Sequence, residues 1–170
     1  MKKYLVLLLL FTGLLSFGQA APDTSGWDKI PPPAGVVSDY EHLFTDKEIL
    51  ALTELITQFE KETTIEIAVI TINPELTPKD RFEEFTLYIA KKWGVGKKDK
   101  NNGILIGISK GYHRIRIQNG DGVKTLISDD ATYRVVQEYF IPQYKADKYY
   151  DGTKAGIEEL VRRLKNTLKG

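Results

Sequence analysis

The stretch "TTIEIAVITI", Thr63 to Ile72, decides the class of fold. It is β-branched and, past Glu66, almost wholly apolar, which is the composition of a strand covered on both faces. Such a strand belongs in the middle of a sheet, flanked in sequence by amphipathic helices. Upstream, Thr45 with Glu48 forms a capping box, and Ile49, Leu50, Leu52, Leu55, Ile56 and Phe59 recur at helical spacing, predicting a helix over roughly 46–62. Downstream, Thr77 as N-cap and Pro78 at the first helical position predict a second helix to Trp93, with Phe82, Phe85, Leu87, Ile89 and Ala90 on its apolar face. Gly94 stops it.

Beyond the polar loop "GVGKKDKNN", the runs "GILIGIS" (Gly103–Ser109) and "YHRIRIQ" (Tyr112–Gln118) flank Lys110 and Gly111, the pattern of an antiparallel hairpin. Arg114 and Arg116 then face one way, Ile115 and Ile117 the other. Ile67, Val69, Ile104, Ile106, Ile115 and Ile117 should share one core. Ser128 or Asp129 caps a helix to about Tyr139, and Asp151 opens a last amphipathic helix bearing Ile157, Leu160, Val161, Leu164 and Leu168. The expected architecture is an α/β layered sandwich: a mixed sheet of about four to five strands with helices on both faces.

The chain of 170 residues is 42% hydrophobic, enough for one good core. Residues 1–20 read as a secretory signal, with Lys2 and Lys3 before an apolar run from Tyr4 to Phe17 and small residues Gly18 and Ala20 ahead of a cut. Cleavage there implies a periplasmic or secreted protein without a transmembrane helix in its mature form. Residues 21–35, "APDTSGWDKIPPPAG", carry four prolines and no apolar periodicity, and read as an extended tether. The domain then spans 36–170. There is no cysteine, which excludes disulfides, thiolate metal sites and acyl anchoring through a thiol. Of 24 basic residues the signal holds two, leaving 22 against 23 acidic ones, so nucleic acid is not an expected partner. The domain is expected to be a monomer.

His42 and His113 are the two histidines, and no serine lies in a G-x-S-x-G elbow, so nucleophilic hydrolase and zinc chemistry lack their parts. "IQNGDGVKTLISDD" (Ile117–Asp130) fails as an EF-hand, since Val123 and Lys124 stand where a ligand and the obligatory glycine belong. "GVGKKDKNNG" lacks the phosphate-loop spacing. Oxygen donors are plentiful: Asp39 before the first helix, Asp99, Asn101 and Asn102 before the hairpin, and Asp121, Asp129 and Asp130 after it. If the first and third helices start at the same edge of the sheet, Asp39 and Asp129 meet there, and the loop ending at Gly103 joins them. The same residue types also serve as caps and solvated turns.

The blocks "VVSDYEHLFTDKE", "IEIAVITI", "WGVGKKDKNNGILIGIS", "HRIRIQNGDGVKTLISDD" and "FIPQYKADKYYDGTKAGIEEL" resemble, in that order, the TPM domain of a thylakoid-lumen acid phosphatase linked to photosystem II repair and of many exported bacterial proteins. The resemblance covers Val36 to Leu164 and implies an α/β sandwich, export, and a divalent cation, calcium before magnesium, at an acidic loop site. Carried onto this chain, the pattern gives Asp39, Asn101, Asn102 and Asp129, and Asp99 and Asp121 are extra acids of this chain that complete the expected site. It also implies an envelope protein partner and, as the alternative activity, weak metal-assisted phosphatase chemistry. The family often has Glu where Gln118 stands and Gly-Leu-Glu where Gly122, Val123 and Lys124 stand, so this chain has fewer carboxylates than the pattern. On this reading, Asp39→Asn or Asp129→Asn removes the cation response and leaves the fold intact.

Overall fold

The computed structural model describes residues 26–170. The expected signal, 1–20, and the first part of the expected tether, 21–25, lie outside the described residues.

The chain runs β1 (Val37–Asp39), α1 (Asp46–Thr63), β2 (Glu66–Thr71), α2 (Phe82–Trp93), β3 (Gly103–Ser109), β4 (Arg114–Asn119), α3 (Asp121–Lys124), α4 (Asp129–Val135), α5 (Ile141–Lys145) and α6 (Tyr149–Lys169). The sheet has the order β1-β2-β3-β4; β1 with β2 and β2 with β3 are parallel, while β3 with β4 is the expected antiparallel hairpin. It is therefore mixed, with both β2 and β3 internal. The hairpin turn is longer than Lys110–Gly111 and includes Tyr112 and His113, the latter at φ 50°.

Side-chain alternation splits the apolar residues into two layers. On one face Ile67, Val69, Ile104, Ile106 and Ile117 meet Leu52, Ile56 and Phe59 of α1 and Ile157, Leu160 and Leu164 of α6, with Ile115 at the margin. On the other, Ala68, Ile70, Ile72 and Leu105 meet Phe82, Phe85 and Ile89 of α2. Helices thus cover both faces, as the uninterrupted apolarity of β2 requires.

Local sequence accounts for most boundaries. Thr45 and Glu48 make the reciprocal capping box at α1, and Gly94, at φ 67°, ends α2. Ser128 caps α4, its Oγ accepting from the Ala131 N–H at 3.1 Å. The expected helix to Tyr139 continues through a π-helical turn, Val136–Phe140, into α5. Pro142 lies at the junction, and having no N–H it cannot carry the α-helical ladder through. No helix among the described residues is long and apolar enough to cross a membrane.

Two expectations need correction. Thr77 does not cap α2: preceding Pro78, it is held extended at φ −160°, ψ 148°. The chain makes 3-10 turns at Pro74–Leu76 and Lys79–Arg81 before α2 opens at Phe82. The second correction concerns the tether, part of which is docked. Trp27 and Ile30 are 4% and 6% exposed and belong to the α2 layer. Trp27 meets Phe85 edge-on at 5.1 Å and Tyr88 at 5.3 Å, and the Arg81 guanidinium lies 4.4 Å from its ring centroid. A single indole buried this way contributes about 1.5–3 kcal/mol, enough to hold a short proline-rich segment in place.

Candidate functional site

The two ends of the sheet hold the polar residues in different ways. At the carboxyl ends of β1 and β2, Asp39 accepts from the backbone N–H groups of Leu43 at 3.0 Å and Phe44 at 2.8 Å, and from the Thr71 hydroxyl at 2.6 Å. Thr71 Oγ1 in turn accepts from the Glu41 N–H at 2.8 Å. Glu41 takes the Lys110 and Gly111 N–H groups at 2.8 and 3.2 Å, tying the hairpin turn down. Asp39 is thus the cap of the turn from β1 into α1, where His42 adopts φ 54°.

The opposite end carries a cleft of about 660 Å³ between the last turns of α2, the loop 95–102 and the turn after β4. Its floor includes Leu87, Ala90, Val95 and Leu105, and its rim Lys91, Lys97, Lys98, Asn101, Asp121 and Lys124. The loops are held by close backbone contact: a Cβ on Gly103 would lie 2.1 Å from the Val95 carbonyl oxygen, and one on Gly120 2.2 Å from that of Asn101. Asn102, 7% exposed, is a brace, accepting from the Lys97 N–H at 2.9 Å and donating to the Thr64 carbonyl at 2.6 Å.

Asn101, at φ 47°, presents its amide at the rim and donates to Asp121 Oδ2 at 3.1 Å. Asp121 Oδ1 pairs with Lys124 at 3.2 Å. Lys97 pairs with Glu60 at 3.1 Å, and the hydrogen bond with that carboxylate raises its pKa. Deeper in, Asn119 donates to Thr132 Oγ1 at 2.9 Å while its Oδ1, shielded from solvent, has no hydrogen-bond partner.

The sequence-predicted metal residues therefore do not form one cage. Asn101 and Asp121 meet, and Asn102 lies beside them as a structural brace. Asp99 is exposed in the same loop. Asp129 is an exposed first-turn residue of α4. Asp39 belongs to the far end of the sheet, six residues of β2 away, so the expected meeting of Asp39 with Asp129 does not occur. The reason is topological: Asp39 ends a parallel strand, opposite Thr71 at the carboxyl end of β2, whereas the loop before β3 and the turn after β4 lie at the amino end. Among the described residues no three His, Cys, Asp or Glu side chains cluster as metal ligands. A calcium-type ion takes about six to eight oxygens, and these six residues together do not fit one. The expected tolerance of Asp39→Asn also falls, since an amide cannot accept all that the carboxylate accepts.

What sequence reading missed here is the lysine-rimmed cleft. The run Lys97, Lys98, Lys100 reads as an exposed loop, and the spacing that places Lys91 and Lys124 beside it is set by the fold.

A family model for the TPM domain matches residues 37–163. Among solved structures, the chain is similar to the N-terminal domain of a Porphyromonas gingivalis protein, with 25% identity and a TM-score of 0.71 over 79% of this chain and 84% of that one. It is also similar to the BA42 protein of the psychrophile Bizionia argentinensis, at 25% identity and TM-score 0.59 over 75% and 86%. The N-terminal domain of a Corynebacterium glutamicum protein shares the fold at 15% identity and TM-score 0.58, over 79% and 83%. No curated protein matches. With the family model spanning most of the chain and the α/β fold shared by these structures, the protein belongs to the TPM domain family.

Proposed function

We propose that this TPM domain is an exported binding module of the cell envelope, and that a divalent cation, calcium before magnesium, binds at the corner of the cleft where Asn101 meets Asp121. The observation that carries the reading is that pair: two of the oxygen-bearing side chains named from sequence converge at the mouth of a cavity, on loops braced by Asn102. Export rests on the charge and hydropathy pattern of residues 1–20. The test is a titration of the protein with calcium and with magnesium, followed by amide NMR and thermal unfolding. Signals of residues 99–103 and 120–124 should move. Melting temperature should rise as expected for a ligand of the native state alone, about 2.7 kcal/mol at a hundredfold excess over Kd. An unchanged response in Asp121→Asn, or none at millimolar ion, overturns the assignment.

A second reading, a weak metal-assisted phosphatase, is favoured by one observation: Lys91, Lys97, Lys98 and Lys124 stand around the same cleft and suit a phosphate ester. Against it, Asp121 is the one acid in the cleft lining and is ion-paired, and both histidines lie outside that lining. Turnover of a generic phosphate ester that disappears in Asp121→Asn would establish the enzyme.

A further inference from the structure

β4 is an edge strand, paired with β3 alone. In its ladder the Gly120 N–H donates to the Gly103 carbonyl at 2.8 Å, and residues 120 and 103 continue the register in which Asn119 opposes Ile104. Antiparallel ladders alternate between bonded and non-bonded pairs. Gln118, Arg116 and Arg114 therefore turn their backbone groups toward β3, while Ile115, Ile117 and Asn119 turn theirs outward. No hydrogen bond described in the structure uses those outward N–H and C=O groups.

The edge is not sealed. A groove of about 330 Å³ runs along it, lined by all four consecutive residues Arg114–Ile117 on one side and by Asp129, Thr132, Tyr133, Val136, Gln137 and Ile141 on the other. Tyr133, 61% exposed, is among the most exposed large apolar side chains described. At the hairpin end a notch of about 180 Å³ between Ile141, Tyr144 and Tyr149 extends the cavity, with His113, Arg114 and Lys145 around it. Arg114 and Lys145 have no ion-pair partner among the described residues, whereas Arg116 is bound to Glu83 at 2.6 Å.

We propose that β4 is a docking edge that receives an extended segment of a partner protein, with alternating apolar and acidic residues, as a fifth strand. The alternation follows from the two walls. One face of an added strand meets Tyr133, Val136 and Ile141, with Asp129 in the first turn of α4 the one acid of that wall. The other continues the face of Arg114 and Arg116, where cross-strand acids are favourable. Backbone bonds to Ile115, Ile117 and Asn119 supply affinity, and the two walls supply selectivity. A second copy of the chain is a poor occupant, because edge-to-edge pairing would set the arginines of both copies on one face. The strand surface extends the binding-module reading to a partner of stated chemistry; it adjoins the cation cleft at Asn119, whereas Ile115 and Ile117 lie outside that cleft's lining.

The test is an amide NMR and hydrogen-exchange titration of the protein with a capped peptide of alternating Glu and Val, about six residues long to match β4. The N–H groups of Ile115, Ile117 and Asn119 should shift and gain protection, and calcium or Asp121→Asn should leave the response of Ile115 and Ile117 unchanged. Arg114→Glu, at an exposed position, should weaken binding about tenfold. Ile115→Pro should abolish it while keeping the β3 ladder, since the lost N–H points outward. The proposal is overturned if the peptide moves none of the three amides at millimolar concentration, if a Lys-for-Glu peptide binds equally well, or if the edge amides respond instead to protein concentration alone.

Discussion

The two ends of the sheet use the same residue types for opposite purposes. At the carboxyl end, Asp39 and Glu41 are spent on backbone N–H groups within their own and neighbouring turns, and little polar capacity remains. At the amino end, backbone-to-backbone packing of Gly103 and Gly120 fixes the loops, and the side chains of Asn101, Asp121 and four lysines are left around a cavity. A carboxylate that holds a fold and one that stands at the rim of a cleft differ in what the backbone around them already has.

Substitutions can break that contrast. The largest effect is expected for Asp39→Ala, which strands two N–H groups and the buried Thr71 hydroxyl; chemical denaturation should show a loss of about 3 kcal/mol. A loss under about 1 kcal/mol would erase the distinction between the ends. Gly103→Ala comes next, at about 1–3 kcal/mol, because its Cβ would sit against the Val95 carbonyl and the loop must move. Its melting curve should fall together with the cleft's amide signals.

Glu159 of α6, away from both ends, calibrates the electrostatics. It is 6% exposed and its carboxylate takes hydrogen bonds from Arg162 and then Arg163, which hold its pKa at about 2 against an ordinary 4.5. A depressed folded pKa means stability that is complete above the ordinary value and is lost as pH falls through about 2. Glu159→Gln should cost about 1–2 kcal/mol at neutral pH, reduced by solvent at the exposed Arg162, and should flatten the acid limb of a pH–stability profile. Smallest of all, Asp121→Ala should change stability by under about 1 kcal/mol, since its one ion pair is exposed. Its consequence belongs in the ligand titration.

Period and capping made much of this fold legible. The apolar run of β2, the box at Thr45 and Glu48 and the stop at Gly94 are local signals, and each is where the sequence puts it. β1 was not legible, because three residues carry too little period to register, and its role depends on pairing with β2. Trp27 was hidden by its proline-rich surroundings, composition being an average that one indole does not shift. At the site, Asn101 and Asp121 were each named from sequence, and the fold, not their spacing, sets them 3.1 Å apart. Asp39 went to the wrong end because spacing along a chain does not say which strands run parallel.

The docked indole also fixes a length. The chain at Trp27 and Ile30 is held on the α2 side of the domain. Ten residues that would otherwise be free line are taken in. At about 3.1 Å per residue in polyproline geometry, the reach of the segment ahead of β1 contracts by roughly 30 Å. Release of Trp27 from Phe85 and Tyr88 would free that length again, making one aromatic contact the setting for how far the segment ahead of β1 extends.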